Sequence, residues 1–298
     1  MKRKLFNDLP LHFMIIPGFI LVLIFSYGPM LGIVIAFQKY IPARGILDSK
    51  WIGFGNFSYV LEIPGIFQIL WNTIYISLMK IIAGIAVPII VSLMLNELTK
   101  QWFKRGIQTI IYIPHFLSWI ILGGVLIDIL SPTSGLVNQF LGVFNIKPIY
   151  FLGDNQWFPF TLVISDIWKE VGFSTIVYLA ALTGIDPSLY EAAVVDGASR
   201  WRQTWHITLP GMIAIIILMS TLSLGNILNA GFDQVFNLYN PQVYDSGDII
   251  DTFVYRLGLV DAQFGPATAV GLFKSIVSFI FISSAYWLSY RFANYRIF

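Results

Sequence analysis

Apolar residues run along this 298-residue chain in six long blocks rather than in short alternations. The blocks are about Leu11 to Phe37, Phe67 to Leu95, Ile107 to Leu130, Phe158 to Leu182, Thr208 to Ala230 and Phe264 to Tyr290. Each is long enough to cross roughly 30 Å of hydrocarbon as a helix, and a helix satisfies its own backbone donors and acceptors where water is absent. Strands of a membrane barrel need only about half that length. The pattern therefore predicts one all-α membrane domain over residues 1–298 with six transmembrane helices. Pro17, Gly28, Pro29, Pro88, Gly123 and Gly124 fall inside these blocks, where neighbouring helices make such residues more tolerable than in soluble proteins. The uncharged stretch from Leu9 to Phe37 follows Lys2, Arg3 and Lys4 and lacks an Ala-x-Ala cleavage pattern. It exceeds the roughly 7 to 15 apolar residues of a signal peptide, so it reads as a retained first helix.

Composition strengthens the membrane reading. Only 11% of residues are charged and mean hydropathy is +0.75, against about a quarter charged in soluble domains. The absence of cysteine excludes disulfides, thiolate metal sites and a cysteine nucleophile. His12, His115 and His206 are scattered without metal-ligand spacing, so neither a metal site nor a catalytic constellation is expected. No GxxxxGK[ST] occurs, which rules out a Walker-type phosphate cradle in this chain. Nothing points to a nucleic-acid partner.

Lysine and arginine set the expected orientation. With the N-terminus inside, the cytoplasmic segments hold ten of them: Lys2, Arg3, Lys4, Lys100, Lys104, Arg105, Arg200, Arg202, Arg291 and Arg296. The outer loops hold five: Lys39, Arg44, Lys50, Lys147 and Arg256. Both termini are then cytoplasmic. Trp102, Trp119, Trp157 and Trp287 fall near span ends, where amphipathic rings favour the interface.

The inner loop at 183–207 carries a pattern of its own. Asp186 offers an N-cap and Pro187 a first helical residue, so a helix should run to about Asp196. Gly197 supplies a residue that tolerates positive φ, and a second short helix should begin at Ala198 before Leu209-Pro210 re-enters the membrane. Such an elbow would project Ala192, Ala193 and Ala198 as a small-residue knob, with Glu191 and Asp196 able to orient it against basic groups of a partner.

Glu191-Ala192-Ala193, Gly197 and Ile207-x-Leu209-Pro210 resemble the EAA loop of binding-protein-dependent ABC importer permeases. The fuller run from Glu191 through Asp196-Gly197-Ala198-Ser199-x-Trp201 to Pro210 looks like the carbohydrate-uptake subfamily, relatives of the maltose permease large subunit that import oligosaccharides. The similarity extends to Gly55-Asn56-Phe57, Asn72-Thr73, Pro114, Gly135-x-x-Asn138 and Leu179-Ala180-x-Leu182, whereas Tyr239-Asn240-Pro241 replaces the family's Gly-Gly-Pro. The resemblance implies a type I importer permease (MetI-like) fold whose 183–207 loop docks a separate ATPase through Glu191, Ala192, Ala193, Asp196, Gly197 and Ala198. It also implies a second homologous permease half in a heterodimer, an extracytoplasmic solute-binding protein, ATP and Mg held by the ATPase dimer, and a place in the bacterial cytoplasmic membrane. Peptide or polyamine permeases share the loop logic. An ion-coupled secondary transporter is the reading from another class.

Charges within spans are costly and usually face a pathway or a partner. Asp166, Lys169 and Glu170 lie at i, i+3 and i+4 in the fourth block, suited either to a mutual ion pair that holds helices together or to substrate contact. Lys80 and Lys274 could snorkel, or pair with Asp128 or another span's carboxylate. In the fifth block Ser220, Ser223, Asn226 and Asn229 step by three, forming a ridge that could line a sugar pathway or act as interhelical glue.

Overall fold

In a computed structural model of the chain, residues 9–293 are described. Lys2, Arg3, Lys4 and Arg296, which enter the orientation argument, lie outside them, as does the side chain of His12. The described chain is helical throughout its regular structure except for one two-stranded antiparallel ribbon. Its elements are α1 (Leu9–Val22), β1 (Gln38–Lys39), β2 (Lys50–Trp51), α2 (Gly55–Glu62), α3 (Ile66–Glu97), α4 (Gln101–Tyr112), α5 (Trp119–Ile129) and α6 (Leu136–Val143). They continue with α7 (Phe158–Thr183), α8 (Pro187–Val195), α9 (Leu209–Leu224), α10 (Phe232–Leu238), α11 (Ile250–Tyr255) and α12 (Phe264–Ala293).

Among the described residues, four helical segments are long and apolar enough to cross a membrane: Phe13–Phe37, Ile66–Glu97, Arg200–Leu224 and Phe264–Trp287. A fifth arises if the bent pair Gln101–Phe116 and Trp119–Ile129 counts as one span. Helix α7 has 26 residues but carries Asp166, Lys169 and Glu170 near its middle.

Two predicted spans are corrected. The third is not one straight helix, because its two parts meet at 108°. Pro114 sits in a tight turn, Ile113–Phe116, and Leu117 is extended at φ −87°, ψ 140°. Ser118 then starts a new helix by accepting the Ile121 N–H at 3.4 Å. Leu117 is apolar and Ser118 is only weakly polar, so the apolar run continues across the break and hides it. The fifth span starts at Arg200 and ends at Leu224, with Gly225 as its C-cap. No separate second short helix precedes Leu209. The turn Arg200–Gln203 passes through a π-turn, Thr204–Thr208, directly into α9. The wider turn lets the helix run on past Pro210, which has no N–H for a regular i→i−4 bond.

The chain divides into two compact units. One comprises Met1–Ile66 with Val254–Phe273. Within it, buried Asn56 Nδ2 donates to the Ala36 and Gln38 carbonyls at 2.8 and 2.9 Å, satisfying the carbonyls at the buried end of the first apolar segment. Phe37 stacks on Trp51 at 5.5 Å and meets Phe54 edge-on.

The other unit comprises Phe67–Phe253 with Lys274–Phe298. One of its cores joins Ile76, Leu126, Phe158, Leu162, Val235, Leu238 and Ile249, and another joins Tyr178, Leu182 and Met212. Because lipid is as apolar as leucine, such helices associate through close packing and hydrogen bonds rather than through water exclusion. Gly172 shows how close: a Cβ there would lie 2.0 Å from the Ile111 carbonyl oxygen, so only glycine lets α7 pack against α4 at that level. The motif residues outside the elbow close loops. Asn72 Nδ2 donates to the Asp245 carbonyl at 3.0 Å, Thr73 Oγ1 accepts the Ile250 N–H at 2.9 Å, and Asn138 exchanges both bonds with Ile149.

Candidate functional site

Two groups of residues carry the chemistry of this chain, an exposed elbow and a charged cluster on α7. In the elbow, Asp186 caps α8 by accepting the Ser188 N–H at 2.9 Å. That backbone hydrogen bond, first among the causes, holds the Asp186 carboxyl below its usual range because it favours the ionised form. Helix α8 stops at Asp196. The Ala198 N–H returns to the Ala193 carbonyl at 2.8 Å and the Gly197 N–H to Val194 at 3.0 Å. This closure requires φ +72° at Gly197, which a side chain opposes. Ser199 then caps the next helix through the Arg202 N–H.

The elbow stands off the body of its unit. Glu191, Ala192, Asp196 and Gly197 are exposed, while Ala193 and Ala198 are half-buried. The knob is less a patch of alanines than the sequence suggests, because Leu189, Val194 and Val195 are 51%, 63% and 86% exposed beside the two acidic residues. Behind the knob, Tyr190 Oη and Thr208 Oγ1 share a hydrogen bond at 3.0 Å, and Arg200 pairs with Glu97 of α3 at 2.5 Å. Ile185 packs on the Tyr178, Leu182 and Met212 core.

On α7 the predicted intrahelical contact between Asp166 and Lys169 is not the one formed. Asp166 instead faces Lys80 of α3 at 3.4 Å. Lys80 Nζ also donates to the Ala230 carbonyl at 2.7 Å and to Gln234 Oε1. Gln234 Nε2 in turn donates to the Leu162 carbonyl at 2.7 Å and to Ser165 Oγ at 2.8 Å. One turn further along, Lys169 Nζ donates to the His115 carbonyl freed at the break before α5 (2.7 Å) and lies 3.3 Å from Glu170. Glu170 meets His115 Nδ1 at 2.8 Å, and the imidazole stacks on Phe173 at 4.3 Å. Lys274 pairs with Asp251, not with Asp128.

Two ammonium groups thus face two carboxylates. The lysines are buried, at 9% and 10% side-chain exposure, whereas Asp166 and Glu170 keep 27% and 40%. The accessible edge is therefore one of hydrogen-bond acceptors, because an ionised carboxylate has no donor of its own. Lys80 had been legible as a lysine in need of another span's carboxylate. Gln234 and His115 had no sequence signal, since only the fold brings them to α7.

The polar ridge of the fifth block does not exist as a helical face. Ser223 is in the last turn of α9, while Asn226 and Asn229 lie past its end at Gly225, exposed in consecutive turns. Asn226 Nδ2 donates back to the Leu222 carbonyl at 3.4 Å, and the Asn229 N–H reaches the Asn226 carbonyl at 2.8 Å. This turn delivers the Ala230 carbonyl to Lys80, so Asn229 adjoins the charged cluster along the chain. Among the described residues there is no group of three or more His, Cys, Asp or Glu placed to hold a metal ion.

Comparison with known proteins places this geometry. Residues 81–294 match the family described as binding-protein-dependent transport system inner membrane component. The chain is 42% identical to the polygalacturonan/rhamnogalacturonan transport system permease protein YteP of Bacillus subtilis, over 99% of this chain and 92% of that protein. It is 40% identical to protein LplB of the same organism, over 98% and 92%. A bacterial ABC transporter involved in the import of the acidic polysaccharide alginate contains a chain with TM-score 0.90 and 38% identity, covering 97% of this chain and 98% of that one. A chain of a bacterial alginate ABC transporter in complex with an alginate pentasaccharide-bound periplasmic protein gives TM-score 0.89 at 37% identity, over 98% of this chain and 97% of that one. With its capped elbow, its charged α7 and its family match over most of its length, this chain belongs to the inner membrane components of binding-protein-dependent transport systems.

Proposed function

We propose that this chain is one of two homologous permease halves of an ATP-driven importer, moving an oligosaccharide from an extracytoplasmic binding protein into the cytoplasm. The capped elbow carries the reading. A helix closed at both ends by local bonds and fixed by Gly197 presents exposed Leu189, Val194 and Val195 together with Glu191 and Asp196, a rigid tip that mixes apolar and acidic side chains. Such a tip fits a socket with basic edges on a separate ATPase dimer that holds ATP and Mg. Glu191, Ala192, Ala193, Asp196, Gly197 and Ala198 are its coupling residues.

Six crossings follow when α7 and the bent pair are counted with the four apolar helices, and both termini then lie in the cytoplasm. Closure of the ATPase draws the two elbows together, and the Tyr190 and Glu97 anchors pass that movement to α3 and α9. Asp166, Lys169 and Glu170, with Ser223, Asn226 and Asn229, are the pathway residues. The half-accessible carboxylates accept hydrogen bonds from sugar hydroxyls, and the asparagine amides both donate and accept. The cluster's four charges cancel, so it lacks the excess negative charge that would hold a polyamine. The relatives' names put oligosaccharides of acidic polysaccharides first among cargoes.

Reconstitution tests the proposal. With its partner permease, ATPase and binding protein in proteoliposomes, the chain should accumulate labelled oligogalacturonide or oligoalginate only when ATP is supplied. Uptake driven by an ion gradient without the ATPase would overturn it.

A further inference from the structure

A groove of about 950 Å³ opens between the end of α3 and the start of the Arg200–Leu224 helix. Ile90 and Met94 form one wall, 55% and 66% exposed, and Trp201 and Trp205 form the other, 70% and 54% exposed. Arg200, paired with Glu97, lines its polar end. Lys100 and Arg202 adjoin lining residues in sequence, and Lys104 and Arg105 follow in the first turns of α4. Open apolar walls, two indoles and a basic rim follow one another over a short stretch. That order reproduces the layers of a membrane surface, where acyl chains give way to the interface and then to headgroups.

We infer that this groove binds an anionic phospholipid of the cytoplasmic leaflet. An acyl chain lies between Ile90 and Met94 on one side and, on the other, the wall formed by the two indoles, which meet edge-on at 5.9 Å, and the phosphate meets the basic rim. Charge complementarity selects this occupant, because basic pockets between membrane helices on the cytoplasmic side attract anionic headgroups. Since Glu97 and Arg200 join α3 to the elbow at the same place, the bound lipid braces the coupling element against the membrane. The inference rests on the cytoplasmic orientation of the elbow proposed above.

The test uses the assembled transporter in detergent micelles, with brominated phosphatidylglycerol or brominated phosphatidylcholine as quenchers. The quenching lost in W201F/W205F isolates the groove signal. It should half-saturate at about tenfold lower mole fraction of phosphatidylglycerol than of phosphatidylcholine, and K100Q/R202Q should reduce that preference to about twofold or less. Equal half-saturation with both lipids would reduce the site to ordinary boundary lipid and overturn the inference. So would the absence of any Trp201- and Trp205-dependent quenching, as expected if a protein partner covers the groove. If the double tryptophan variant fails to assemble, I90W fills the groove instead, and should lower the phosphatidylglycerol retained per purified complex relative to wild type; unchanged retention counts against the site. The chain has no cysteine, so T183C tests orientation separately. Reaction with an impermeant thiol reagent in intact cells would refute the cytoplasmic elbow, whatever the lipid preference.

Discussion

The elbow and the charged cluster on α7 are both polar, yet they are built in opposite ways. The elbow's caps close over two or three residues, Asp186 to Ser188 and Ser199 to Arg202. The cluster joins Lys80 to Gln234 across 154 positions and to the Ala230 carbonyl across 150. A short-range device in water needs only the right residue at the right offset. A long-range device in hydrocarbon needs every partner delivered by packing, because an unpaired polar group there has no water to fall back on. The elbow therefore holds its own shape and is tied back to α3 and α9 at Glu97, Thr208 and Ile185, while the cluster pins α3, α7 and the segment around Gln234 together.

Substitutions can separate the two. The largest effect on transport is expected from G197V, which leaves the cluster untouched but places a β-branched residue at φ +72°, a local strain of about 1 to 3 kcal/mol that distorts the elbow. Uptake should fall to background while membrane insertion, followed by protein yield in the membrane fraction, stays normal. Full transport by this variant would remove the elbow from the mechanism.

Next comes K80M, which breaks the cluster and spares the elbow. It leaves Asp166 without its partner, and breaking a buried pair from one side costs about 3 to 5 kcal/mol. Thermal denaturation of the detergent-solubilised complex should show a large loss that K80M/D166N partly restores. If the double variant is no more stable than K80M, the two side chains are not coupled.

A smaller change is expected from E170Q, which keeps a hydrogen bond to His115 but removes the charge. If the carboxylate receives sugar hydroxyls, half-saturation for uptake should rise by about tenfold with assembly unchanged, as for loss of one charge-assisted hydrogen bond. Unchanged uptake would make the pair helix glue alone.

The smallest effect belongs to D186N, which retains the cap geometry and loses its charge. The depressed carboxyl pKa means the cap's contribution is fully present above the unfolded carboxylate value and fades only as pH falls through the lower folded value. Coupled ATPase activity should therefore be flat across neutral pH in the wild type and differ little in D186N, whereas D186A, which removes the acceptor, should lower it measurably.

Much of the fold was legible for the reason that the elbow was. The blocks at 67–95, 158–182 and 264–290 reappear as α3, α7 and α12 within a few residues at most ends, because twenty apolar residues in lipid leave a helix as the only way to satisfy the backbone. The failures are equally physical. Hydropathy is blind to a turn made of Pro114, Leu117 and Ser118, so the third block concealed a 108° break. A three-residue polar spacing promised a ridge on the fifth helix, but Gly225 ends that helix first and sends Asn226 and Asn229 into turns.

By itself the sequence determined that the chain is a helical membrane protein with a capped, glycine-closed elbow, since hydropathy, N-caps and positive φ are properties of neighbouring residues. Only the tertiary structure decided that Lys80 answers Asp166, that Gln234 and His115 complete the cluster, and that Leu189, Val194 and Val195 stand exposed on the elbow beside Ala192. Those choices depend on which helices meet and which faces they leave open. Distance along a chain carries no record of either.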